Sequence, residues 1–148
     1  ITTFVAQNRG AGRKERIRKG FRRGLMLEAC YWVFICITIT LFRRPLMGLF
    51  VTAGNEGIVA LGSSYLGLMA LFYVFPAFTN GIQGFFRGMG NMSVTLLGTF
   101  VQTSLRVVFV YLLTPGIGLL GVAYACAIGW SVMLLVEVPY YFWFMKDK

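Results

Sequence analysis

The chain has no histidine and only five acidic residues in 148. Histidine-bearing zinc sites, Ser-His-Asp triads and histidine proton relays are therefore excluded within it. Its three cysteines, Cys30, Cys36 and Cys126, all fall in apolar stretches, where neither oxidative pairing nor metal capture is expected, and they read as packing residues. No phosphate-cradling glycine loop and no pair of catalytic carboxylates is present, so no catalytic, cofactor-binding or metal residue is assigned and an enzyme is not expected. Charge itself is scarce. Charged residues make up 13% of the chain, about half the roughly 25% of an ordinary soluble domain, which excludes a typical soluble fold.

What the chain has instead is four long apolar stretches, approximately 21–42, 58–84, 94–113 and 118–144. A hydrocarbon core about 30 Å thick is crossed by ~20 apolar residues in a helix, and each stretch has that length or more. The expected fold class is an all-α membrane protein, an antiparallel bundle of transmembrane helices in one domain. A bundle of four helices has little interior, so most helix surface should face lipid or a partner. Residues 1–20 read as the cytoplasmic end of a preceding helix and a basic loop, and 21–148 as the four spans. The first residue is Ile1 and the opening segment is polar and basic, so a start upstream of Ile1 is expected.

The net charge of +9 acquires meaning from its placement. Eight of the fourteen basic residues lie in 9–23; Arg87 falls two links later, Lys146 and Lys148 end the chain, and only Arg43 and Arg44 occupy the alternate side. Positive-inside bias puts residues 9–23, the Arg87 turn and the C-terminus in the cytoplasm, as expected of a multi-pass protein of the plasma (inner) membrane. The basic segment lacks the interleaved aromatic residues on which bases stack, so it reads as a topology anchor attracted to anionic lipid, with no nucleic-acid partner.

Turn chemistry divides the spans. Arg43-Arg44-Pro45 is expected to stop the first, followed by an interfacial turn over 46–51 and a loop over 52–57. Arg87-Gly88-Met89-Gly90-Asn91 reads as a tight turn, and Thr114-Pro115-Gly116 as a break before Gly118 restarts the chain. Links this short make consecutive helices antiparallel neighbours. The second stretch is longer than one bilayer requires, and Pro76 is the expected bend or hinge.

Polar groups within spans are where function is sought, because lipid penalises each one that lacks a partner, water or a ligand. Tyr73, Pro76, Asn80, Gln83 and Arg87 recur at spacings of three and four, as do Thr95, Thr99, Gln102 and Arg106, so each set marks one helix face. Two such stripes can hydrogen-bond as interhelical glue or line a shared cavity. Arg106 lies inside a span, about seven residues from its outer end, within snorkelling reach of the interface. Two acids, Glu28 and Glu137, fall within spans at similar expected depth; each can pair with the basic fringe or take part in ion coupling. Gly121, Ala125 and Gly129 form a small-residue face, and Gly81, Gly84, Gly88 and Gly90 permit close helix contact or flexing.

The segment Gln7-Asn8-Arg9-Gly10-Ala11-Gly12, followed by Arg13-Lys14-Glu15-Arg16, resembles the Gln-Asn-x-Gly-Ala-Gly signature of the multidrug and toxic compound extrusion (MATE) family. Later pieces keep the family's order: Ser64-Tyr65-Leu66, the glycine-rich turn over 80–91 with Gly88, Leu105-Arg106-Val107, and Gly118-Leu119-Leu120-Gly121-Val122. The resemblance runs through essentially the whole chain. It implies part of the C-terminal lobe of a twelve-helix antiporter: the cytoplasmic end of the eighth helix and the last four helices, with the N-terminal lobe as the missing partner. Such proteins export cationic, amphipathic compounds against inward Na⁺ or H⁺, with no cofactor beyond the coupling ion. The tenth-helix equivalent, 58–84, contains no acid, so the coupling ion is left open. Gln7, Gly10, Ala11, Gly12, Gly88 and Arg106 carry the family signature. Tyr73, Phe78, Asn80, Gln83, Thr99 and Gln102 are the expected cavity residues, with Glu137 and Glu28 as possible coupling acids. A lipid-linked sugar flippase of related architecture and a non-transporting membrane scaffold are the alternatives.

Overall fold

The computed structural model describes residues 1–51 and 54–146, and those residues form six α-helices: α1 (Thr2–Gly10), α2 (Lys14–Gly48), α3 (Glu56–Phe72), α4 (Val74–Gly88), α5 (Met92–Ile117) and α6 (Leu119–Lys146). Thr52 and Ala53 of the expected loop, and Lys148 of the basic C-terminus, lie outside the described residues. Taking α3 and α4 together as one 33-residue span, four helical segments among the described residues are long and apolar enough to cross a membrane.

The first span begins earlier and ends later than the apolar pattern alone indicates. Residues 14–20, read from their charge as loop, are the opening turns of α2. Lys, Glu and Arg are good helix formers, Glu15 sits in the first turn where the helix dipole favours an acid, and Glu15 pairs with Lys19 at 2.7 Å. Both partners are largely exposed, so the pair adds little beyond local helix support. At the far end, α2 runs through Pro45 to Gly48 instead of stopping at Arg43-Arg44-Pro45. Pro45 withholds one N–H from Leu41 within a turn of the helix end, where the freed carbonyl is close to water, so the helix tolerates it. Pro115 is likewise inside the last turn of α5, and the chain reverses at Gly118 instead. There φ is 61° and ψ −141°, a conformation open to glycine and costly for any side chain.

The second span is interrupted at Tyr73, halfway along. Pro76 has no N–H to donate to the Phe72 carbonyl and its ring crowds that carbonyl, so α3 ends at Phe72 and Pro76 falls in the first turn of α4. The discontinuity therefore lies three residues before the proline that causes it. Tyr73 N–H still reaches Met69 O at 2.9 Å and Ala77 N–H reaches Tyr73 O at 3.2 Å. The carbonyl of Ala70 takes the indole N–H of Trp32 from α2 at 3.0 Å, which satisfies an acceptor at the break.

Sequence neighbours pack as spatial neighbours. The α5–α6 pair is the most extensive, α2 packs on α3 and α4, and α6 also lies against α3 and α4. The small-residue face of α6 is the seam of that closest pair. A Cβ on Gly129 would lie 2.9 Å from Gln102 O, and one on Gly121 would lie 2.8 Å from the Leu113 carbonyl carbon. Gly81, Gly84 and Gly88 of α4 are close-contact glycines as well; a Cβ at Gly88 would sit 2.6 Å from both Thr2 O and Val5 Cβ of α1.

The tightest core is at the end of the bundle that carries the basic residues. Val5, Ile17, Phe21, Ile82, Phe85, Phe86, Met89 and Phe144 are buried together, joining α1, α2, α4 and α6. The Phe85 ring lies 5.0 Å from Phe21 and 4.9 Å from Tyr141. By contrast α2 leaves Met26, Leu27, Tyr31, Phe34, Ile37 and Leu41 exposed along its apolar length, a surface suited to lipid or to further helices.

Candidate functional site

The two glycine turns of the basic end support one another. Gly12 has φ 67°, and the turn is closed by Ala11 N–H to Gln7 O (3.1 Å) and Arg13 N–H to Asn8 O (2.9 Å). Gly90 has φ 72°, with Asn91 N–H bonded to Phe86 O at 2.9 Å. Arg9 spans the two by donating to the Met89 carbonyl beside Gly90. Gln7, Gly10, Ala11 and Gly12 are exposed at this end, while Gly88 is buried against α1, so these positions shape the connection between helices. Arg106 is half-buried on α5 and makes no ion pair among the described residues.

The six expected cavity residues do not gather in one place. Tyr73 and Asn80 line a groove between α2 and α4, of about 300 Å³, together with Pro76, Ala77, Glu28, Tyr31, Trp32 and Ile35. This groove opens beside the break in the second span. Glu28 sits at its α2 wall, packed onto the backbone of Gly81, where a Cβ would collide with its carboxylate and lie 2.5 Å from Leu25 Cδ2. One carboxylate oxygen of Glu28, Oε2, is buried without a hydrogen-bond partner among the described residues. Phe78 is half-buried outside the groove lining.

Gln83 points elsewhere. Three residues beyond Asn80, it is 6% exposed and donates weakly to Met133 Sδ of α6 at 3.9 Å. Around it lies a second, enclosed polar cluster. Glu137 of α6 is 1% exposed, and among the described residues neither of its oxygens has a donor in ordinary hydrogen-bond geometry, although the Gln83 amide lies beside it. A Cβ on Gly98 of α5 would fall 3.2 Å from Glu137 Oε1, 3.4 Å from Met133 Cε and 3.8 Å from Gln83 Nε2, so these groups converge on one glycine. Gln102, one turn along α5, is buried against Gly129; its Oε1 accepts from Thr103 Oγ1 at 3.3 Å and its Nε2 has no partner among the described residues. Thr99 is exposed and donates back to Thr95 O at 2.9 Å, the self-contained bond of a hydroxyl on a helix surface.

Glu28 and Glu137, the two membrane-embedded acids, thus press on α4 from different sides. Glu28 meets Gly81 and Glu137 approaches Gln83, two residues and about 200° further round the helix. Trp32, Tyr31, Met133 and Gly98 join these sites without having been singled out in the sequence. For the first two a signal exists, since Glu28, Tyr31, Trp32 and Ile35 fall at helical spacing and so share a face. Nothing local marks Met133 or Gly98.

Helices long and apolar enough to cross a membrane, one of them broken near its middle beside a groove lined by aromatic side chains and Glu28, define a multi-pass membrane protein with a cleft at the break. The MatE family model matches residues 1–112, about three quarters of the chain, and the chain belongs to that family, as a multi-pass membrane protein. It is 32% identical over 124 residues to a probable multidrug resistance protein NorM of Thermotoga maritima, a match covering 82% of this chain and 26% of the relative. The chain therefore spans about a quarter of that relative's length. No solved structure matches it.

Proposed function

We propose that this chain is part of the C-terminal lobe of a twelve-helix transporter that exports cationic, amphipathic compounds in exchange for Na⁺ or H⁺. The N-terminal lobe completes the cavity, the protein resides in the cell membrane, and the C-terminus faces the cytoplasm with the basic residues of 9–23.

The observation that carries the proposal is the groove at the broken helix. A flat organic cation gains from aromatic faces and a countercharge in a low-dielectric setting, and Tyr31, Trp32, Tyr73 and Glu28 supply both around one cleft. Asn80 adds an amide that orients the ligand. The cleft is open on one side, toward the exposed face of α2, where further helices of the whole transporter would close it. The break at Tyr73 lets α4 move relative to α3, so that access can alternate between the two membrane faces.

The test is equilibrium binding of a fluorescent cationic dye, such as ethidium, to the purified full-length protein in lipid nanodiscs. Each cation–π contact is worth about 1 kcal/mol when partly desolvated, so Tyr73→Ala should weaken binding about fivefold. Glu28→Gln should weaken it by at least as much while leaving binding of a neutral dye unchanged. Unaltered cation affinity in both variants would remove the groove from the substrate path.

A further inference from the structure

At the basic end of the bundle, α2 and α6 face each other without a close approach of their backbones among the described residues. Side chains bridge the gap: the Phe21 ring lies 4.9 Å from that of Tyr141, and Arg18 Nη2 donates to Met145 O at 3.1 Å. Beside these bridges is a cleft of about 620 Å³, a size typical of small-ligand sites. Its lining joins the apolar surface of Leu25, Tyr141 and Phe142 to three cations, Arg18, Arg22 and Lys146.

The cations stand where the apolar runs stop. Between Arg23 and Arg43 the only charge on α2 is Glu28, and before Lys146 the only charge on α6 is Glu137. The cleft therefore straddles the boundary between the hydrocarbon and the headgroup layer. Arg18, Arg22 and Leu25 recur at spacings of four and three, and Phe142 lies four residues before Lys146. Each helix thus presents a cation with an apolar side chain one turn deeper in the membrane. No acidic side chain lines the cleft, and the ion pair seen among the described residues joins Lys19 to Glu15 elsewhere on α2. Arg18 commits one of its five N–H donors to the Met145 carbonyl, an acceptor in the last turn of α6. That bond anchors the guanidinium and leaves four donors for an anion.

We propose that this cleft binds one anionic phospholipid, its phosphate held by Arg18, Arg22 and Lys146 and an acyl chain laid over Leu25 and Phe142 toward the bilayer centre. The inference goes beyond the transport reading and stands without it, since it needs only a chain that crosses a membrane. A phosphodiester accepts several charge-assisted hydrogen bonds at once and answers a positive charge that no carboxylate in the cleft answers. A soluble phosphate satisfies the cations alone; a lipid also covers the apolar surface beneath them, Phe142 being 67% exposed. General attraction of a basic segment to an anionic membrane is shared among all its residues, whereas here the binding is confined to three cations from two helices. The lipid fills the gap and ties the first span to the last.

The experiment is native mass spectrometry of the purified, delipidated full-length protein in detergent, titrated with phosphatidylglycerol or with zwitterionic phosphatidylcholine. The wild type should retain one phosphatidylglycerol in preference to phosphatidylcholine. Each cation removed near a membrane surface should weaken binding about fivefold, so Arg22→Gln with Lys146→Gln should weaken it about twenty-five-fold. Arg13→Gln with Arg16→Gln removes the same charge outside the cleft and should leave phosphatidylglycerol binding nearly unchanged. Lys146→Gln alone, at the exposed end of α6, should weaken binding about fivefold and keeps the test usable if the paired variant fails to fold. Excess inorganic phosphate should not displace the lipid. Equal losses in the two double variants, displacement by inorganic phosphate, or equal retention of the two lipids by the wild type would each overturn the proposal.

Discussion

Gly129→Ala should destabilise the bundle although alanine is the better helix former. The added Cβ would lie 2.9 Å from Gln102 O, 3.5 Å from Gln102 Cγ and 3.6 Å from Gln102 Nε2. The first of these atoms is backbone and cannot rotate away, so α5 and α6 must part by roughly 0.5 Å to restore an ordinary contact of about 3.5 Å. Overpacking of this kind costs about 1–3 kcal/mol, and the helix-propensity gain of Gly→Ala returns up to about 1 kcal/mol. The net expectation is a loss of as much as about 2 kcal/mol. Gly57, in the first turn of α3, has open space around its would-be Cβ, so Gly57→Ala should show only the propensity gain and a change of opposite sign. Unfolding of each variant by denaturing detergent, followed by circular dichroism, reads the difference. Gly129→Ala stabilised like Gly57→Ala would refute the seam.

Trp32→Phe keeps an aromatic wall in the groove but leaves the Ala70 carbonyl without the indole donor, so stability should fall by ~0.6–1.7 kcal/mol, the range of interhelical hydrogen bonds in membranes; no loss in the same detergent titration would mean that water or another donor already serves the break. Gln102→Leu removes an amide whose Nε2 is buried without a partner, and stability should hold or rise, with cation affinity unchanged; weakened dye binding would return Gln102 to the substrate cavity.

Much of this architecture is legible in the chain because lipid imposes simple rules. Four apolar stretches give four membrane-crossing segments, and Gly121, Ala125 and Gly129 mark the face of α6 that meets α5. Helix ends are less legible. Charge at 14–20 suggests a loop, yet Lys, Glu and Arg extend a helix well where it leaves the bilayer. Pro45 and Pro115 suggest stops, yet a proline in a last turn forfeits one bond close to water. Pro76, deep in a span, has no such relief, and there the helix does break, at Tyr73.

The polar positions show the limit of reading faces from spacing. Asn80 and Gln83 belong to one stripe by period, yet three residues turn about 300°, and at the contact of α4 with both α2 and α6 that offset assigns them to different sites. Which acid lies in an open groove and which is enclosed depends on Gly81, Gly98 and Met133, residues whose partners are 50 or more positions away from Glu28 or nearly 40 from Glu137, or whose side chain carries no polar signal. Glu28 and Glu137 therefore look alike in the sequence and differ only once the helices are packed.

The central claim is that this chain helps carry an organic cation across a membrane. Its most direct test is transport by the purified full-length protein in sealed vesicles, with a cationic dye on one side and an imposed H⁺ or Na⁺ gradient. Dye movement against the cation gradient, abolished when the gradient is collapsed, is the predicted result. Correctly inserted protein that binds no cation and leaves the dye distribution unchanged under either gradient would contradict the account.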